Sequence, residues 1–384
     1  MPHWTVHLDG GPRRVNHAAA LVGNWIYMFG GYCTGGDYHS LIPIDVYALD
    51  TVLLRWRKLP IASGEETSQK LVPYLRYGHS VVNYEGKVYL WGGRNDNYGA
   101  CNKVFCYDTK TLKWSRPRTE GERPGGRDGH TACLIGDNMY IFGGFEDGMV
   151  QCYANTVYSL DLKEMFWTYI KAKGDIPHWR DFHTAAAYHH RMIVFGGRSD
   201  ESGPYYTNRE FYCNRLQVLD TQTKVWSAPP TTGDIPIGRR SHSAFMYRDH
   251  MYIFGGYNDI TKMHYNDLYR LDLCNYEWSK VMTSGQTPRN RRRQCCIVVQ
   301  DHVIMFGGTS PKDTPIPGGS DDENLMDLAD LHILDFAPSL KTLCKVAVIR
   351  YQLDISCLPL DIRWELEAMT TDNSISQPLE MPQG

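Results

Sequence analysis

Short apolar runs, each closed by a pair of glycines, recur along the chain. Met139-Tyr140-Ile141-Phe142 leads into Gly143-Gly144, and residues 26–31, 88–93, 192–197, 251–256 and 303–308 repeat the pattern. Four apolar residues in a row are too short for a helix and right for a buried strand. Before the run stands His130-Thr131-Ala132-Cys133-Leu134-Ile135, whose small and apolar side chains suit a crowded strand. Gly136-Asp137-Asn138 then supplies a tight turn. Two further strand patterns follow, Thr156-Val157-Tyr158-Ser159-Leu160-Asp161 and Phe166-Trp167-Thr168-Tyr169-Ile170. The ending of the third strand returns as Leu49-Asp50, Tyr107-Asp108, Leu219-Asp220 and Leu271-Asp272. The tryptophan of the fourth returns as Trp56, Trp114, Trp226 and Trp278. Each repeat therefore predicts four short strands.

Polar residues keep the same register. Thirteen residues before the first glycine of a pair stand His17, His79, His130, His183 and His242, and three residues earlier Arg14, Arg76, Arg127, Arg180 and Arg239. The sixth copy has Arg291 and Gln294 in these slots. One residue of each type per repeat reads as structural pairing between repeats. The glycine pairs fall 51 to 62 residues apart. A lone four-stranded sheet cannot bury both faces, whereas sheets stacked around an axis can. Glycine lets backbones approach closely beside such an axis.

The sixth copy lacks a tryptophan strand. His3-Trp4-Thr5-Val6-His7, at the other end of the chain, is patterned like 166–170. The N-terminal strand is therefore expected to complete the last sheet, closing the ring and removing exposed edges. The glycine pair, the Leu/Tyr-Asp ending and the spaced tryptophan together resemble the kelch repeat over residues 1–336. The resemblance implies an all-β fold, a six-bladed β-propeller closed by the N-terminal strand.

Residues 337–369 change character. Pro338 can open a helix. Leu340, Leu343, Cys344, Ala347 and Val348 form one apolar helical face. Leu358-Pro359-Leu360-Asp361-Ile362 begins a second helix, continued by Trp364, Leu366 and Met369. From 370 to Gly384, Asn, Ser, Gln and Pro dominate, which predicts a flexible tail. The first helix resembles a BC-box, and 358–362 resembles a cullin-2 box. That likeness implies that Leu340, Cys344 and Val348 bind elongin C, with elongin B. It also implies that Leu358, Pro359 and Ile362 bind cullin-2, which brings its RING subunit. The runs 238–245, 291–296, 306–311 and 330–344 resemble a branch of the kelch family that serves as substrate receptors of cullin-2 RING ubiquitin ligases. This branch recognises C-terminal degrons ending in glycine, here of Arg-Gly or Lys-Gly type.

Strand parity locates a recognition face. The loop entering a first strand and the loop leaving a second emerge on the same side. After the glycine pairs come Tyr32, Arg94, Phe145, Arg198, Tyr257 and Thr309. Between Arg and His come Tyr77, Asp128, Asp181-Phe182, Arg240-Ser241 and Arg292-Arg293. Clustered arginine fits a carboxylate, because guanidinium donates two parallel hydrogen bonds to it. Arg198, Arg240, Arg292 and Ser241 are thus expected to hold a degron carboxylate. Asp128, Asp181, Phe182, Phe145, Tyr257 and Tyr77 are expected to form the pocket for its side chains. A related receptor clamps its degron with two arginines and a serine. This sequence matches one arginine at Arg198, but has Arg240 in place of the serine and Tyr212 in place of the second arginine. The chain also ends in Gly384, the end group its own pocket is expected to bind, which predicts self-association.

Composition narrows the classes further. A net charge of -3 gives no basic footprint for nucleic acid. No signal peptide and no bilayer-length apolar run is visible, so membrane partners are not expected. Eleven cysteines scattered through strands and loops read as reduced thiols, in the cytoplasm or the nucleus. No nucleophile motif and no zinc spacing stands out, so neither catalysis, metal nor cofactor is expected. The alternative is a non-catalytic kelch scaffold for actin or chromatin partners, which leaves the two tail helices without a role.

Overall fold

The computed structural model describes residues 1–60, 71–207 and 209–375. Among these, six sheets carry the repeats, each with four antiparallel strands in chain order. In the third, Thr131–Ile135, Asn138–Phe142, Val157–Asp161 and Phe166–Ile170 pair successively. The last sheet takes Cys295–Val299, His302–Phe306 and Leu331–Asp335 from the sixth repeat, and His3–Leu8 from the N-terminus. The borrowed strand keeps the register of the strands it replaces. Trp4 lies opposite Leu334, as Trp56 lies opposite Leu49, Trp167 opposite Leu160 and Trp278 opposite Leu271. The indole therefore fills the same gap in every sheet.

Apolar side chains pack between sheets and lock them in sequence. Tyr27 and Phe29 of the first sheet meet Val88 and Leu90 of the second. Successive clusters continue around, until Ile304 and Phe306 of the last sheet meet Ile26 and Met28 of the first. The packing thus returns to its start.

At the axis the backbone closes a second circle. The N–H of Gly78 donates to the carbonyl of Asn16 at 2.9 Å, Gly129 to Gly78 at 3.0 Å, Phe182 to Gly129 at 2.7 Å, Ser241 to Phe182 at 2.8 Å, Arg293 to Ser241 at 2.8 Å, and Asn16 to Arg293 at 3.2 Å. All six residues have positive φ, from 50 to 69°. Two copies fill this left-handed slot with glycine, which accepts it without strain. Asn16, Phe182, Ser241 and Arg293 hold it against their side chains' preference.

The repeated arginine, histidine and glycine pair form one device. Arg76, Arg127, Arg180, Arg239 and Arg291 are fully buried, and Nη1 of each donates to the carbonyl of the first glycine of its own pair. The backbone carbonyl of Arg180, in turn, accepts from the N–H of Gly144 in the preceding sheet. Gly144 has φ +96°, and a Cβ there would lie 2.8 Å from that of His130. Burial and the neighbouring arginine hold His17, His79 and His242 down at about 3, so the rings are neutral. His130 Nε2 meets the Ser80 hydroxyl of the preceding sheet at 2.7 Å.

Two features lie outside the four-strand expectation. Short segments Glu120–Gly121, Lys173–Gly174, Thr232–Gly233 and Ser284–Gly285 run parallel to the outer strand of the next sheet and cover its edge. The polar segment expected to be flexible from 370 is held in its first part. The N–H groups of Asn373 and Ile375 donate to the carbonyls of Asp9 and Gly10 at 2.8 and 2.9 Å. The rest of that tail, including Gly384 and the self-association expected of it, lies outside the described residues.

Helix α1 (Leu340–Arg350) is capped by the Ser339 hydroxyl, which accepts from the Thr342 N–H, and α2 (Leu360–Thr370) follows Pro359. Val346, Ile349 and Met369 pack against the cluster joining first and last sheets. Among the described residues no helix is long and apolar enough to cross a membrane.

Candidate functional site

The residues one place beyond each repeated arginine and one place beyond each glycine pair meet as backbone partners. Asp181 bridges Arg198, Arg240 bridges Tyr257, Arg292 bridges Thr309, and Asp128 pairs with Phe145. Both loops therefore open on one face, around the axial circle. A 130 Å³ cavity sits at its centre, lined among others by Asn16, Phe182, Ser241 and Arg293. The mouth is charged unevenly.

On one side stand Arg240, Arg292 and Arg293. Arg240 and Arg292 flank the buried ring of Tyr257, with guanidinium carbons 5.5 and 4.4 Å from its centroid. Nε of all three arginines is buried without a hydrogen-bond partner. Asp322, strongly exposed, lies 3.9 Å from Arg292. Burial, then repulsion from Arg240, lowers the Arg292 pKa to about 10. Burial and its two arginine neighbours bring Arg293 to about 9. His264, 4.4 Å from Tyr257 ring to ring, is held at about 3 by burial and the same three cations. Among the described residues, one exposed carboxylate pairs with these three cations.

Across the mouth, Asp128 is buried and its Oδ1 has no partner. Burial raises its pKa to about 7, with Arg94 opposing and Asp181 adding. Tyr77 donates to Asp96 at 2.6 Å and packs edge-on against Tyr32 and Tyr38. Phe145 packs on Tyr153, over which Arg198 also lies at 5.5 Å.

The sequence reading joined Arg198 to the carboxylate clamp and Asp181 to the side-chain pocket. The structure pairs them with each other. Arg198 Nη2 donates to Asp181 Oδ2 at 2.6 Å and Nε to Oδ1 at 3.1 Å, with Glu210 at 3.4 Å. Asp181 is wholly buried. Burial penalises the Arg198 cation, yet Asp181, Tyr153 and Glu210 raise its pKa above the ordinary value. This arginine's charge is already matched. Ser241 lies beside Arg240 on the axial circle. Arg293 was read only as filling the sixth copy. Its presence in the slot that holds Gly78 and Gly129 elsewhere was the available signal.

Among the described residues His7, Asp330 and His332 also converge, with ligand atoms within 4.8 Å. Asp330 gives both oxygens to Arg291, at 2.7 and 2.6 Å, and His332 meets one of them at 2.9 Å. A cation there would compete with a guanidinium, so the group reads as an ion-paired network.

A family profile described as the KLHDC2/KLHL20/DRC7 kelch-repeats domain matches residues 78–308, and one described as a kelch motif matches 13–61. Kelch domain-containing protein 3 of Bos taurus is 53% identical over 100% of both chains, and that of Homo sapiens likewise. Kelch domain-containing protein 2 of Bos taurus is 27% identical over 67% of this chain and 69% of that protein. The chain belongs to the kelch-repeat family. The full-length matches run past the propeller and cover the segment that forms the two helices here.

The helices of this kelch protein leave much apolar surface uncovered. Leu340 is 78% exposed and Trp364 62%. Cys344 and Pro359 are exposed, while Val348, Leu358 and Ile362 are half-buried. The sequence places Leu340 and Cys344 on one apolar face, but α1 meets the propeller through Val346 and Ile349 instead. That face is turned to solvent. A 660 Å³ groove between the helices is lined by Val348, Leu353, Ile355, Leu360 and Trp364, among others. Exposed apolar area of this kind marks an interaction surface.

Proposed function

We propose that this chain is the substrate-recognition subunit of a cullin-2 RING E3 ubiquitin ligase. It binds target proteins through a C-terminal glycine preceded by arginine or lysine. The observation that carries the reading is the trio of buried Arg292 with half-buried Arg240 and Arg293, whose guanidinium Nε atoms are out of contact with solvent and have no partner. Buried polar groups are normally satisfied, so three in one place call for a ligand that brings an anion. An α-carboxylate matches them in charge and planar geometry. Asp128, whose Oδ1 has no partner, then receives the basic side chain of the preceding residue. The narrow axial cavity favours a terminal residue without a side chain.

The second half of the role rests on α1 and α2. Leu340, Cys344 and Val348 are offered to elongin C, paired with elongin B. Leu358, Pro359 and Ile362 are offered to cullin-2 and, through it, the RING subunit. The chain itself performs no chemistry in this scheme. It positions substrates, in the cytoplasm or nucleus, for a ligase assembled on its tail. The test is binding of peptides ending in Arg-Gly, Lys-Gly, Arg-Gly-amide and Arg-Ala. Amidation removes the charge that the arginines hold and is expected to abolish binding. Equal affinity for acid and amide would overturn the reading.

A further inference from the structure

The six inter-sheet arginines do not all have the same counter-ion. Arg14 pairs with Asp45, Arg239 with Asp267 at 2.5 Å, and Arg291 with Asp330 at 2.6 Å. Arg127 reaches Glu146 at 2.9 Å and Thr156 at 3.1 Å. Counted back from the Leu/Tyr-Asp ending, Asp45, Thr156, Asp267 and Asp330 hold one repeat position. In the second and fourth copies that position is basic, Lys103 and Arg215, and in both a cysteine stands two residues earlier.

The local geometry is the same in both copies. The N–H of Lys103 points to Cys101 Sγ at 3.4 Å, and that of Arg215 to Cys213 Sγ at 3.4 Å. Arg76 lies against Cys101 and Arg180 against Cys213. Both arginines are essentially unexposed, and Nη2 of each has no hydrogen-bond partner. The Tyr74 hydroxyl also faces Cys101. A guanidinium and a phenol thus lie beside a sulfur that accepts from a backbone N–H, with no carboxylate among them. A buried cation needs a counter-charge, and the sulfur as thiolate supplies one.

We propose that Cys101 is a thiolate site, held as the counter-ion of buried Arg76, and that it reacts with hydrogen peroxide to form a sulfenic acid. The thiolate attacks one peroxide oxygen. An S–O bond forms as the O–O bond breaks, and the sulfur gives two electrons to the peroxide. The displaced hydroxide takes a proton from solvent and leaves as water. The charged groups facing Cys101 are Arg76 and Lys103, with Tyr74 beside them. Burial raises the Cys101 pKa, and Arg76, the Lys103 N–H and Lys103 more than reverse it. Cys133, buried among apolar groups, is pushed up to about 12 by burial alone.

The whole chain is treated with hydrogen peroxide and dimedone from pH 6 to 8, and labelling is read peptide by peptide. The slope with pH, rather than the absolute rate, removes differences in access. Labelling of Cys101 is expected to stay within about threefold. Labelling of N-acetylcysteine added to the same mixture should fall about tenfold per pH unit below the ordinary thiol value. Lys103→Asp restores the residue type of three other repeats, so the fold tolerates it. It gives Arg76 a carboxylate and is expected to return Cys101 to the slope of the added thiol. A slope at Cys101 in the native chain equal to that of the added thiol, or no labelling of Cys101 at any pH, overturns the proposal.

Discussion

Asp181 and Arg198 grip each other through two hydrogen bonds, 2.6 and 3.1 Å long, across the backbone bridge that joins their loops. The carboxylate is buried and occupies the guanidinium fork that a ligand would use. This pair is therefore a wall of the mouth. Removing one partner leaves a buried charge unmatched, which costs about 3–5 kcal/mol. Asp181→Asn is expected to lower the urea midpoint by a corresponding amount. A variant with unchanged stability and lost peptide binding would instead assign Asp181 to the ligand.

Arg292 is expected to behave in the opposite way. Its cation is penalised in the fold by burial and by Arg240, and its pKa falls to about 10. The sign follows directly. A base with a depressed folded pKa contributes stability above its unfolded value, and that contribution is lost as pH falls through the folded value. At pH 7 only the penalty remains. Arg292→Gln should therefore hold or raise the melting temperature, while weakening an Arg-Gly peptide roughly ten- to hundredfold through loss of a charge-assisted bond. Calorimetric titration and thermal melts on the same samples measure both. A large loss of stability would count against the unmatched-cation picture.

The contrast between these two arginines marks how far the sequence can be read. Periodicity assigned both to one face, because strand parity fixes which loops emerge together. It could not say which neighbour claims each side chain. Arg198 and Asp181 are 17 residues apart, and only the strand register brings them opposite. The slot of Arg293 is defined by a backbone conformation, which leaves no mark in the sequence beyond the glycines of two other copies. The fold was legible for the converse reason: Trp4 repeats a side-chain pattern, and its pairing with Leu334 follows from that register. The docking of residues 373 and 375 on Asp9 and Gly10 uses backbone groups alone and leaves no side-chain signature.

Asp128 should make ligand binding depend on pH. Burial, first, and Asp181 raise its pKa to about 7. The fold thus favours the protonated acid. The stability this contributes is complete below the unfolded carboxyl value and is lost as pH rises through about 7. A basic ligand side chain needs the ionised form. Affinity for an Arg-Gly peptide is expected to rise from pH 6 to 8, and Asp128→Asn should flatten the profile. Fluorescence anisotropy at constant ionic strength would measure it. An unchanged profile in the variant would remove Asp128 from the pocket.

The tail helices separate binding from stability. Leu340 is 78% exposed, so Leu340→Asp should leave the melting temperature within about a degree while abolishing capture of purified elongin B/C. Leu366, 3% exposed, lines the groove between the helices, and Leu366→Ala should cost about 2–5 kcal/mol. Retained elongin capture by the Leu340 variant would end the assignment of that face.

Phe182 offers a test of selectivity at the axis. It occupies the left-handed slot at φ 50° in which Gly78 and Gly129 sit in two other copies. Strain of this kind costs about 1–3 kcal/mol and persists where the surroundings impose it. The axial hydrogen bonds run through the backbone, so Phe182→Gly leaves the circle intact and relieves the strain. The melting temperature is expected to hold or rise. What the change removes is a wall of the 130 Å³ cavity. A methyl group at the ligand terminus should then fit, and the preference for Arg-Gly over Arg-Ala peptides should fall by roughly tenfold or more, the range one methyl group commands in a fitted pocket. Competition of the two peptides against a labelled Arg-Gly probe measures the ratio directly. If the ratio is the same in both proteins, Phe182 does not set the terminal residue. Its strained backbone would then serve only the closure of the axis.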